Sequence, residues 1–208
     1  MRVFSIICGV ASLAILLAAS IGGGLIYPGY NHLTQYISEL GATGAVTGPA
    51  VSLAFIVSGG LLSLFWLTAL TQFPRKPLAV VGFCLSALNG LGLMFGGVFP
   101  CAFECSLTGA TPSAVLHDLL GGLGYLCGIA GAALIAISAR GWDRHRHLYG
   151  LGIICVVPAA MAIWAIHPGY PWFGVAQRVV EIGLGVFAVG VILAMAKKPT
   201  RSSFSSRG

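Results

Sequence analysis

Side chains able to do chemistry are gathered in a few short stretches of this chain: Tyr30 to Glu39, Cys101 to Cys105, His117-Asp118, His167, and Gln177 to Glu181. His117 is suited to general-base work near neutral pH, with Asp118 or Glu181 to orient it or share its proton. Arg178 offers a forked donor for phosphate or carboxylate oxygens. Tyr30, His32, Ser38 and Glu39 add groups that would line a head-group pocket beside it. His32, His117 and His167 are three imidazoles that would leave one position open on a zinc ion. Their spacing matches no compact motif, and ligands must converge in three dimensions, so the metal-free use of His117 stands beside that reading. No nucleophile elbow surrounds Ser38.

The elements that must position these residues follow from composition. Of 208 residues, 57% are hydrophobic and 8% charged, against roughly a quarter charged in soluble domains. Apolar runs at about residues 3–27, 49–71, 78–98, 116–138, 148–166 and 177–196 each approach the roughly 20 residues needed to span a bilayer. They are continuously apolar rather than alternating, which excludes a barrel. The fold expected is all-α, a single polytopic bundle of six transmembrane helices over residues 1–198, followed by a disordered cytoplasmic tail at 199–208. The first run exceeds the apolar core of a signal peptide and is read as a retained helix.

Arg2, Arg75, Lys76, Arg140, Arg144, Arg146, Lys197, Lys198, Arg201 and Arg207 fall on alternate connections. By the positive-inside rule those connections and both termini face the cytoplasm. The net charge of +6 then serves orientation and anionic lipid, and nucleic acid is not expected as a partner. Arg178 is the exception. It stands one turn before Glu181, a spacing at which opposite charges can meet, so an Asp118–Arg178–Glu181 network that only locks helices together competes with a functional site.

Cys101 and Cys105 flank a short outer connection where a disulfide is feasible; a redox or zinc pair fits the C-x3-C spacing less well. Gly92, Gly96, Gly124, Gly128, Ala132 and Ala136 form small-residue stripes that let helices approach closely, within one bundle or between copies. The stretch Trp142 to His147 reads as a cytoplasmic loop at the lipid head groups, with no catalytic role for His145 or His147.

The motifs Tyr27-Pro-Gly-Tyr-Asn-His-Leu-Thr-Gln-Tyr-Ile-Ser-Glu-Leu-Gly41, Gly-Val-Phe-Pro-Cys101 with Cys105, His117-Asp118-Leu-Leu-Gly-Gly122 and Gln177-Arg178-Val-Val-Glu181 together resemble the prokaryotic membrane family catalogued as domain of unknown function 998. The resemblance spans nearly the whole chain. It implies a six-helix bundle in the plasma membrane with these motifs on its outer side, and no established reaction.

Three functions are compatible with these residues. The first is a protein that binds a membrane lipid or other amphiphile at the outer leaflet through Tyr30, His32, Ser38, Glu39 and Arg178. The second is an intramembrane lipid hydrolase or lipid-modifying enzyme using His117, Asp118 and Glu181, with or without zinc. The third, a transporter, has little polarity near the midplane to support it. No cofactor is specified, and a second copy or another membrane protein remains open as a partner.

Overall fold

The computed structural model describes residues 1–106 and 111–197; the tail expected at 199–208 lies outside them. Six helices carry the fold: α1 (Arg2–Ile26), α2 (Gly48–Ala69), α3 (Pro77–Val98), α4 (Pro112–Ala139), α5 (His147–Ala162) and α6 (Phe173–Ala196). Short 3-10 turns stand at Ile37–Gly41, Leu70–Gln72, Phe103–Cys105 and Ile163–Ala165. All six spans are long and apolar enough to cross a membrane. The all-helical six-span class read from the apolar runs is therefore the class observed, a multi-pass membrane protein.

The helix starts have local causes. Thr111 Oγ1 accepts the Ala114 N–H at 3.2 Å, and Pro112 takes the first helical position, where no N–H is needed. This cap starts α4 at Pro112 rather than near residue 116, so His117 and Asp118 stand on its second turn. Helix α6 likewise begins at Phe173, whose ring packs 4.2 Å from that of Tyr36. Gln177 and Arg178 are thereby carried one turn into the helix.

The chain runs up and down, each helix packing on the next, and α6 returns to α1. Helices α2, α3 and α4 are nearly in backbone contact. A Cβ on Gly92 would lie 2.7 Å from the Cα of Gly124, and one on Gly90 would lie 2.6 Å from the Ser63 nitrogen. The small-residue stripes thus serve contacts inside one chain. Between α1 and α2, Ser12 and Ser58 each donate to the other's backbone carbonyl at 2.9 Å, which satisfies both hydroxyls where no water is available.

Both described ends of the helical bundle, Arg2 and Ala196, lie together: Arg2 Nη2 donates to the Ala196 carbonyl at 2.6 Å, a cation on the orphan carbonyls of a helix C-terminus. This terminal end is filled with aromatic rings. Phe65, Phe83 and Phe187 are fully buried and Trp66 nearly so. The Trp142 ring stacks 5.3 Å from Phe73, and His145 meets the same ring edge-on at 5.2 Å. Part of the loop expected at the lipid head groups therefore folds inward, because Phe73 offers the Trp142 indole an apolar seat in which it is only 3% exposed.

Candidate functional site at the far end

The far end is organised by Arg178. Its Nη1 donates to the carbonyls of Gln35 and Gly174, both at 2.9 Å. Its Nη2 donates to Tyr30 Oη at 2.7 Å and to His32 Nδ1 at 3.0 Å. Tyr30 Oη in turn donates to the Tyr36 carbonyl at 2.7 Å. The guanidinium thus clasps the 30–36 loop to α6. Gly174 permits that approach, since a Cβ there would lie 2.5 Å from the Gln35 carbonyl oxygen.

The four acceptors of Arg178 are all neutral. Glu181, expected to meet it, instead accepts from Tyr125 Oη at 2.7 Å, while Asp118 is exposed. The expected three-charge network is replaced by two separate systems, because the loop inserts its carbonyls where a carboxylate would have to reach. Glu39, only 3% exposed, closes the 3-10 turn: it accepts from the Tyr36 N–H and from Gln35 Nε2, each at 2.8 Å.

The second system runs into the bundle. The Ile37 N–H donates to Gln177 Oε1 at 2.6 Å, Gln177 Nε2 donates to Tyr125 Oη at 3.1 Å, and Tyr125 completes the chain to Glu181. His117 sits beside it, with Nδ1 3.0 Å from the Gly96 carbonyl and 2.9 Å from that of Phe99. Carbonyls only accept, so Nδ1 carries a proton, and in the neutral ring Nε2 keeps its lone pair.

Three of the hollows that border these systems bring sequence-selected residues together. A vestibule of about 270 Å3 is lined by Tyr36, Ser38, Cys105, His117, Asp118 and His167, with Gln177 and Tyr125 also on its wall. An interior cavity of about 70 Å3 shares Ser38, His117, Tyr125 and Gln177 with it and adds Asn89 and Glu181. A groove of about 420 Å3 runs between α1 and α6, lined by apolar side chains such as Leu13, Leu17, Ile21 and Ile182, with His32 and Arg178 also on it and Glu181 shared with the interior cavity.

The sequence-selected residues therefore divide. Ser38, His117, Asp118 and His167 share the vestibule; His32 and Arg178 share the groove; Glu181 faces the cavity and the groove. Tyr30 and Glu39 support the loop between them. The three histidines do not gather: His32 accepts from Arg178, His117 is held by α3 carbonyls, and His167 Nδ1 accepts the Gly169 N–H at 3.1 Å. Tyr125 escaped selection by sequence, although His117, Gly121 and Tyr125 at successive four-residue steps mark one polar-lined face of α4.

Titration follows burial here. Burial, reinforced by the charges of Glu39 and Asp118, pushes the Tyr36 phenol up to about 12, so it stays a donor. Burial and then the Arg178 charge hold His32 below the usual imidazole range. Burial raises Glu39 above the usual carboxylate range despite its two hydrogen bonds.

Six apolar spans define this as a multi-pass helical membrane protein, with His32, His117, Arg178 and Glu181 gathered near the far end. More particularly, the family model described as "Protein of unknown function (DUF998)" matches residues 6–197, and the chain belongs to that family. No curated protein and no solved structure matches it.

Proposed function

We propose that this protein binds an amphiphile with an anionic head group at the outer leaflet of a prokaryotic plasma membrane, its acyl chain in the α1–α6 groove. The observation that carries the reading is Arg178 on the wall of that apolar groove, its four hydrogen-bond acceptors among the described residues all neutral. Three guanidinium protons are committed to the loop and one to the Gly174 carbonyl of α6, and the fifth donor remains for phosphate or carboxylate oxygens. His32 adds a second donor: its Nδ1 accepts from Arg178, so in the neutral ring Nε2 bears the proton. Basic residues concentrated on the alternate connections support the orientation.

Native mass spectrometry from mild detergent tests this. Wild type should retain an anionic lipid, Arg178→Lys should retain less, and Arg178→Ala none while still eluting as folded protein. Equal retention by Arg178→Ala would sink the proposal.

A second reading, a lipid-modifying enzyme, is favoured by one observation: groove and vestibule both adjoin the interior cavity, whose wall carries both Glu181 and His117. Turnover of lipid extracts that is lost in His117→Ala, with lipid retention intact, would establish it.

A further inference from the structure

The connection between α3 and α4 brings a different chemistry to the vestibule. Cys101 and Cys105 are joined by a disulfide with their Cα atoms 5.0 Å apart. Cys101 is 2% exposed, whereas Cys105 lies on the vestibule wall. The two sulfurs and a ring nitrogen of His117 all lie within 4.8 Å of one another, the one group of this kind among the described residues.

His117 is already held as ligating histidines are held. Its Nδ1–H is donated to the Gly96 and Phe99 carbonyls, a backbone arrangement that fixes the ring and tautomer and leaves the other nitrogen basic. Ser38 lies on the other side: its hydroxyl donates to Cys105 Sγ at 3.4 Å, and a hydrogen bond to sulfur favours the thiolate once the pair is reduced.

We propose that the disulfide latches a metal site: when a dithiol reduces it, Cys101, Cys105 and His117 together hold one zinc ion, with a fourth position open to the vestibule. Two sulfurs and one imidazole suit zinc, and three protein ligands with an open position are the arrangement of a reactive rather than a structural centre. The exchange is balanced. One thiolate of the dithiol attacks Cys105, the sulfur the vestibule reaches, and expels Cys101 as thiolate. Its second thiolate then displaces Cys105, so the dithiol leaves as a disulfide and the chain gains two electrons and two protons. Zinc displaces those two protons to solvent as it binds. This site is on the vestibule side and the head-group pocket on the groove side, so either stands without the other.

The test uses the full chain in detergent, reduced with a dithiol that is then removed, and titrated with Co2+ in place of zinc. The expected result is one equivalent per chain with thiolate-to-cobalt charge-transfer absorption in the reduced protein, none in the oxidised protein, and displacement of cobalt by zinc. His117→Ala should weaken binding about tenfold or more, Cys105→Ser should remove the absorption, and Cys84→Ser, at an exposed thiol on α3, should leave it unchanged. No absorption in the reduced wild type, or equal absorption in Cys105→Ser, overturns the proposal. A readout without substitution keeps the test valid where a variant fails to assemble: zinc should slow iodoacetamide labelling of Cys101 and Cys105 about tenfold or more in reduced wild type. Labelling at the same rate with and without zinc overturns it equally.

Discussion

At the terminal end, Phe65, Trp66, Phe83 and Phe187 fill the space between helices with buried rings, and Trp142 stacked on Phe73 covers them. At the far end, the 30–36 loop, Arg178 and the Gln177–Tyr125–Glu181 chain enclose hollows instead. The difference is one of materials. Rings pack by area, even where the buried Trp142 indole N–H finds no acceptor, while polar groups at the far end need fixed directions and so leave space between them. A bundle filled at one end and hollow at the other supports the proposed binding at a membrane face over passage through it.

Emptying the filled end should have the largest effect. Phe83→Ala should cost about 3–5 kcal/mol of stability, the range for large aromatic truncations in a core, read as a lower midpoint of thermal unfolding in detergent, with lipid retention per folded molecule unchanged. A loss of retention equal to that of Arg178→Ala would mean the two ends are not independent. Next is Tyr125→Phe, which removes the hydroxyl between Gln177 and Glu181 and leaves both short of a partner. About 1–3 kcal/mol is expected, and a variant as stable as wild type would show that water in the interior cavity replaces the hydroxyl. Ser58→Ala breaks half of the reciprocal pair with Ser12 and should cost only about 0.6 kcal/mol, the average for polar contacts between membrane helices.

The pH response should be smaller still and local to the clasp. His32 titrates below its ordinary value of about 6.5 when docked. Above that value docked and undocked loops both carry a neutral ring, and docking is at full strength. As pH falls below it, the undocked loop takes up a proton that the docked loop refuses, because Arg178 needs the Nδ1 lone pair, so docking weakens until the docked ring protonates too. Glu39 has the opposite sign: its raised value favours the docked turn while protonated, a contribution lost as pH rises through that value. Hydrogen exchange of residues 31–36, corrected for intrinsic rates, should quicken from pH 7 to pH 5, and His32→Asn should flatten the response. A flat wild-type profile would remove His32 from the clasp.

The spans were legible because twenty-residue apolar runs have one physical use, and the polar residues of the far end were legible because ionisable groups near spans are costly. What could not be read was their partition. Spacing alone allowed Arg178 to meet Glu181, yet the pairing depends on helix rotation and on the loop that Gly174 admits, neither of which is local in sequence. His32 and His117 looked equivalent as residue types and lie in different hollows for the same reason. Thr111-Pro112 was a readable cap, and Tyr125 lay on a readable stripe, but a tyrosine within an apolar run signals little until its partners are known.

The hydrogen bond from Arg2 to the Ala196 carbonyl also sets an order of events during synthesis. Helix α1 gains α6 as a neighbour only when α6 has been made, since chains emerge N-terminus first. The groove between them is therefore the closing seam of the molecule, absent from every shorter nascent chain. Amphiphile captured there would report that insertion of all six spans is complete.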